Sequence, residues 1–264
     1  MRLRSLLYVP ADNERFVAKA HERGADAIIL DLEDSVRPER RDAARKALAA
    51  SIRSAGRNGA KVFVRINVES ASEDVAAAAG ADGFYVSKAN RARIDALAAE
   101  GSGLPLFALI EDPLALLDVA AIAAHPAVAG LSAGGEDLAT ALGALPDPDV
   151  LRTPKLLIHY AAKAYGKLSL GLFRSIADYT DLTAIEEAAK DARRHGFDGA
   201  SCVHPSAVPV LNAVFAPTSE EIDWAHRVLA AAQETKAGAF TIDGRMIDAP
   251  IIARARSILS HQID

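Results

Sequence analysis

The sequence predicts a (β/α)8 TIM barrel with additional C-terminal helices. Three observations carry that prediction. Short β-branched or apolar runs alternate with longer Ala-rich stretches, and the short runs number eight. No glycine-rich phosphate loop follows either of the first two runs, although a doubly wound open sheet would usually show one. A chain of 264 residues, half of them hydrophobic, suits one barrel as well as two small domains, and no linker or low-complexity tract divides it.

The eight runs are residues 3–10, 27–34, 61–67, 83–88, 106–111, 128–134, 167–173 and 199–205, each short enough for a barrel stave. Between them, residues 13–23, 40–55, 74–79, 91–99, 114–124 and 183–195 have helical composition and apolar spacing. Gly24, Gly56, Gly80, Gly101 and Gly196 follow several of these segments and read as left-handed helix stops. Past the eighth run, residues 219–236 and 249–259 have the spacing of amphipathic helices. Residues 1–217 are therefore expected to form the barrel, and residues 218–264 a helical extension.

Composition excludes some functions. A net charge of −5 argues against nucleic acid, which requires a concentrated basic surface. No stretch reaches the run of about eighteen uncharged apolar residues that a membrane helix needs, and the start, Met1 to Ser5, does not read as a signal peptide. A cytoplasmic protein with no membrane partner is expected. The single Cys202 sits in an apolar segment and reads as a buried structural thiol. Small anionic substrates remain open, because local cations such as Arg15, Lys19 and Arg65 can serve them whatever the net charge.

Barrel enzymes place their chemistry at the carboxyl ends of the strands. Here the second run ends Asp31-Leu32-Glu33-Asp34, the third at Arg65-Ile66-Asn67, the fourth at Lys88 and the fifth at Glu111; the sixth leads into Gly134-Gly135-Glu136-Asp137, and the eighth ends at His204-Pro205. Solvation and helix capping account for any one of these, Asp137 above all, since it precedes an apparent helix at 138–142. Their convergence on one rim is what points to a site. Two carboxylates from neighbouring strands suit Mg2+, and Glu111 and Asp137 fit that description. The seven histidines are scattered, without zinc spacing. Arg65 reads as the group that neutralises a developing enolate or a substrate carboxylate, or else as a structural partner of Asp31 or Glu33. Gly134 and Gly135 permit close backbone approach to a ligand, as they would permit a tight turn.

Arg4-Ser5-Leu6-Leu7-Tyr8-Val9-Pro10, Leu30-Asp31-Leu32-Glu33-Asp34-Ser35-Val36 and Val64-Arg65-Ile66-Asn67 resemble the citrate lyase beta-subunit-like branch of the HpcH/HpaI aldolase/citrate lyase superfamily. Matching blocks follow in order at Ala81-Asp82-Gly83 through Lys88, Leu109-Ile110-Glu111, Gly135-Glu136-Asp137-Leu138 with Gly143, His204-Pro205-Ser206, and Gly244-Arg245-Met246-Ile247-Asp248-Ala249-Pro250. The resemblance implies a barrel that assembles as a homotrimer or hexamer and binds Mg2+ through Glu111 and Asp137. It implies a carbon–carbon lyase acting on a 3-hydroxy-acid thioester such as citramalyl-CoA, malyl-CoA or citryl-CoA, with an acyl thioester and pyruvate, oxaloacetate or glyoxylate as products.

Under that resemblance Arg65 stabilises charge, Asp31 and Glu33 orient it, and Gly134, Gly135 and Glu136 contact the substrate. Asp248 reaches into a neighbouring subunit's site as acid or base; without the resemblance it reads as a cap on the last helix. Two alternatives stay open: a beta subunit that needs an acyl-carrier partner, and a non-catalytic barrel that binds a keto acid. The chain departs from the family pattern at Ala11, Asp112-Pro113, Leu170, Ala200 and Ala207, which leaves the acid and the thioester undetermined.

Overall fold

The computed structural model describes residues 2–235 and 238–260. Strands and helices alternate as β1 (Ser5–Pro10), α1 (Glu14–Ala20), β2 (Ala27–Asp31), α2 (Pro38–Ala55), β3 (Lys61–Ile66), α3 (Ala71–Ala77), β4 (Gly83–Val86), α4 (Arg91–Ala99) and β5 (Leu106–Ile110). They continue as α5 (Pro113–Leu117), α6 (Val119–Ala123), β6 (Val128–Ala133), α7 (Gly135–Ala141), α8 (Pro148–Ala164), β7 (Leu168–Leu170), α9 (Leu182–His195), β8 (Ala200–Cys202) and α10 (Ala207–Val214). The eight strands form one sheet in the order β7-β6-β5-β4-β3-β2-β1-β8, and every pairing is parallel. A bridge between Leu170 and Gly199 joins its ends, with the Gly171 N–H donating to the Gly199 carbonyl at 2.8 Å. This is the barrel that the alternating pattern predicts.

Side chains that point inward along the strands fill the barrel: Leu6, Ala27, Ile29, Phe63, Tyr85, Phe107 and Leu170 form one buried cluster. Tyr85 and Phe107 stack with ring centres 5.2 Å apart, and Phe63 lies 4.6 Å from Phe107. Side chains of the opposite parity, such as Ile28, Leu30, Val62, Val64, Phe84 and Val86, join the helices in the larger core outside.

Several expected boundaries shift for physical reasons. β2 and β3 keep Asp31 and Arg65 within the sheet, whereas Glu33, Asp34, Lys88 and Glu111 lie past the ends of their strands. The 114–124 segment breaks at Asp118 into α5 and α6. α8 has no counterpart among the expected helices: Pro148 fits its first turn, but Pro154 stands in its interior, where proline ordinarily breaks a helix. Gly196 does end α9 in the left-handed region, at φ 95°. Gly56 does not: its φ is −86°, and a Cβ there would stand 3.3 Å from Val62 Cγ2, so packing is what asks for glycine.

The extension comprises α11 (Ser219–Glu234), the hairpin β9 (Phe240–Ile242) and β10 (Arg245–Ile247), and α12 (Ala249–Ser260). Asp243 and Gly244 turn the hairpin with positive φ at both positions, the geometry of a tight two-residue loop. Ala225, Val228, Ile247 and Ala255 form a buried cluster of their own, flanked by Trp224 and Phe240 and separate from the barrel core. Residues 236, 237 and 261–264 of the expected extension lie outside the described residues. No helix among the described residues is long and apolar enough to cross a membrane.

At the seam between β8 and β1 the backbones approach so closely that Gly199 has no room for a side chain. A Cβ on Gly199 would collide with the Leu3 carbonyl and stand 2.9 Å from the Arg4 Cα. Gly199→Ala is expected to lower unfolding free energy by on the order of 3 kcal/mol, the upper end for overpacking, because backbone must move. Urea denaturation reads this directly; a midpoint equal to that of the wild type would mean the seam relaxes freely.

Candidate active site

The inward parity that fills the barrel changes character at one height. On β2 it runs Ala27, Ile29, Asp31; on β3 it runs Phe63, Arg65; on β5 it runs Phe107, Leu109, and then Glu111 just past the strand. Asp31 and Arg65 are direct partners in the β2–β3 register. The Arg65 guanidinium therefore donates to both Asp31 oxygens, from Nε and Nη2, at 2.7 Å each. Asp31 also accepts the backbone N–H groups of Glu33 at 2.9 Å and Ser35 at 3.2 Å. Burial works to raise the Asp31 pKa, but these bonds prevail and hold it below the usual carboxylate range. Arg65 Nη1 lies 3.1 Å from Glu33 and 3.0 Å from Asp34, so one guanidinium meets three carboxylates. Its carbon stands 5.3 Å from the centre of the Tyr8 ring.

Glu111 is in the opposite situation. It is 4% exposed, and among the described residues no cation lies within ion-pair distance of it. Its Oε2 accepts the backbone N–H of Lys88, a residue in the left-handed region at φ 47°. On its other side is Gly134, where a Cβ would stand 2.6 Å from Glu111 Oε1. Glycine here keeps space free for the carboxylate. Burial, with the nearby charges of Glu33 and Asp137, pushes the Glu111 pKa up to about 8, against the Lys88 N–H and Arg65.

Asp137 sits in the first turn of α7, which starts at Gly135, so it lies within the helix and does not precede it. A buried carboxylate lacking a counterion, a second carboxylate close enough to repel it, and a cavity lined by both fit a divalent cation. No group of three or more His, Cys, Asp or Glu among the described residues is placed to hold a metal. Mg2+ needs no such group, since it takes one or two carboxylates and completes its shell with water and substrate oxygens.

These residues open onto a cavity of about 430 Å³ lined by Tyr8, Asp31, Arg65, Glu111 and Gly134–Asp137, with Leu170, Leu172 and Phe197 among its apolar walls. Glu33 is buried behind it, against Arg65. Glu136 accepts a hydrogen bond from the Ser175 hydroxyl. Arg15 and Lys19 do not line the cavity; both are exposed on α1, because closeness in sequence to a strand end does not fix which way a helix face points. Asp248 stands immediately before α12, also outside the lining. Leu170, one of the departures from the family pattern, belongs to the barrel interior. Asp112 caps α5 by accepting the Ala115 N–H at 2.9 Å. Cys202 is buried, and burial pushes its thiol up to about 12, as befits an inert structural group.

Sequence reasoning missed three contributors: Tyr8, the Lys88 amide and Lys155. Burial pulls the Lys155 ammonium down to about 8, with Glu136 acting in the opposite sense. Its signal was legible: a lysine at the apolar spacing of Leu151, Ile158 and Ala162.

A model of the HpcH/HpaI aldolase/citrate lyase family matches residues 4–205. The (3S)-malyl-CoA thioesterase of Cereibacter sphaeroides is 35% identical, the match covering 97% of this chain and 93% of that protein. A citrate lyase subunit beta-like protein of Mycobacterium tuberculosis is 34% identical, over 96% of this chain and 93% of that protein. Among solved structures, CitE from Mycobacterium tuberculosis in complex with magnesium, acetoacetate and coenzyme A is similar with a TM-score of 0.80 and 32% identity, covering 98% of each chain.

The Glu111 environment makes stability depend on pH. Its folded pKa of about 8 lies above the ordinary 4.5, so the stability tied to its proton is complete below 4.5 and is lost as pH rises through 8. Thermal unfolding of metal-free protein is expected to show a melting temperature that falls from roughly pH 5 to pH 9, and Glu111→Gln should flatten that fall. Parallel pH profiles for the two proteins would assign the effect elsewhere.

Proposed function

Since the chain belongs to the HpcH/HpaI aldolase/citrate lyase family, we propose that it is a Mg2+-dependent carbon–carbon lyase. Its substrate is a 3-hydroxy-acid thioester of the citramalyl-, malyl- or citryl-CoA kind, cleaved to an acyl thioester and a 2-keto acid or glyoxylate. The observation that carries this reading is the pairing of an uncompensated buried carboxylate, Glu111, with Asp137 at the mouth of a cavity that also presents Arg65. The solved relative that holds magnesium, acetoacetate and coenzyme A supports the same class of ligand.

Glu111 and Asp137 would hold the metal, which when bound lowers the cost of charge on the substrate's hydroxyl oxygen. Arg65 contributes fixed positive charge for the carboxylate or the developing enolate, and Asp31 and Glu33 hold its plane so that little reorganisation is needed during the reaction. Gly134 and Gly135 let the substrate approach the backbone at the start of α7. Asp248 supplies or removes the proton at the thioester α-carbon, acting in a neighbouring subunit of a cytoplasmic homotrimer or hexamer. The extension's separate apolar cluster, and the absence of Asp248 from its own chain's cavity lining, support that arrangement.

The malyl-CoA thioesterase relative favours one second reading, hydrolysis of the thioester. Turnover of malyl-CoA, citramalyl-CoA and citryl-CoA with Mg2+ separates the two: a lyase releases keto acid or glyoxylate with an acyl thioester, while a thioesterase releases free thiol and the intact hydroxy acid.

Glu111→Gln and Asp137→Asn are each expected to abolish Mg2+-dependent turnover and weaken Mg2+ binding by calorimetry, with the fold retained. Undiminished Mg2+ binding in both variants would remove them as ligands. For Asp248, exchanging Asp248→Asn subunits with Glu111→Gln subunits should restore part of the activity, because some sites then hold both native residues. Exchanged oligomers that stay inactive would confine each site to a single chain.

A further inference from the structure

α8 turns an apolar face to the barrel, where Leu151, Ile158, Ala161 and Ala162 are buried and Lys155 is buried among them. A lysine in such a place is costly unless its donors find partners. Nζ donates to the Leu172 carbonyl at 2.8 Å and to the Arg174 carbonyl at 2.9 Å. Both carbonyls belong to the stretch between β7 and α9, which has no strand or helix of its own. Leu172, Arg174, Ser175 and Ile176 of that stretch line the cavity.

Without a ladder of backbone bonds, the position of this stretch depends on tethers. A second tether is the Ser175 hydroxyl, which donates to Glu136 in the turn that carries Asp137. Lys155 also lies near that turn: a Cβ on Gly135 would stand 3.7 Å from Nζ. One ammonium thus braces the loop wall beside the metal-side turn. The wall combines apolar Leu172 and Ile176 with Arg174, whose guanidinium is already paired with Asp178, whereas the charged end of the cavity lies at Asp31, Arg65 and Glu111. Such a wall suits the acyl-thioester chain and not the reacting carboxylate.

We propose that Lys155 is a positioning residue that holds residues 172–176 in place as the wall receiving the acyl-thioester chain, so that it governs substrate affinity and not bond cleavage. This rests on the lyase reading above. Lys155→Met keeps the apolar stem, one atom shorter, and removes the donors; Lys155→Arg keeps the charge and supplies N–H donors for both carbonyls. In Lys155→Met the KM for the thioester is expected to rise at least about tenfold with kcat within about threefold of wild type, and Mg2+ affinity should be unchanged. In ligand-free protein the amides of residues 172–176 should exchange at least about tenfold faster while those of β1–β6 do not. Lys155→Arg should recover a substantial part of both effects.

Unchanged KM and exchange in Lys155→Met, or a loss of kcat at constant KM, overturns the assignment. If Lys155→Met does not fold, Lys155→Gln, which retains one short donor, is read by the same two measurements. Absence of thioester turnover in the wild type would remove the lyase reading and with it the wall's ligand; exchange in the ligand-free protein still decides the tether by itself.

Discussion

The register between β2 and β3 sets Asp31 beside Arg65, and the polar end of the barrel is organised around that one contact. A guanidinium and a carboxylate each taken out of water would be prohibitive alone. Together, with both planes engaged and backbone N–H groups completing Asp31, they are tolerable, and loss of one partner from such a pair typically costs about 3–5 kcal/mol. The pair also anchors geometry. It pins the loop after β2 through the N–H groups of Glu33 and Ser35, and it holds Arg65 in a single orientation over the cavity floor near Tyr8.

Glu111 shows why the charge at this rim is incomplete. Around the cavity stand Asp31, Asp34, Glu111, Glu136 and Asp137, while Arg65 is already shared among three carboxylates and Lys155 is engaged by two carbonyls. The protein folds around an excess of negative charge and protects the space beside it with glycine. A protein that needed only stability would have placed an apolar residue at 111, as it did at Phe107 on the same inward face.

Much of this was readable from the chain. All eight strands, and the roles of 31, 65 and 111 as inward rim positions, follow from counting by twos along apolar runs until a charge appears. What escaped did so for identifiable reasons. Pro154 inside α8 breaks the helical pattern of that stretch, so the apolar spacing that Lys155 shares with Leu151 and Ile158 has no helix to attach to in the sequence. The contribution of Lys88 is a backbone N–H aimed by its left-handed φ, and side-chain type carries no trace of it. The extension's hairpin carries its signal in Asp243-Gly244, a two-residue turn that helical periodicity on either side does not register.

Closure of the barrel joins nearly the first residues of the chain to residues that arrive last among the strands: Ser5, Leu6 and Leu7 pair with Ala200, Ser201 and Cys202. On the ribosome, β1 therefore has one side satisfied by β2 early and its other side open until translation has passed β8. At roughly 5–20 residues per second that interval is on the order of ten to forty seconds. Throughout it the nascent sheet carries an unpaired, apolar edge, the kind of surface on which chaperones act and chains associate wrongly. The same architecture that gives the finished enzyme no exposed barrel edge makes its biogenesis a matter of timing.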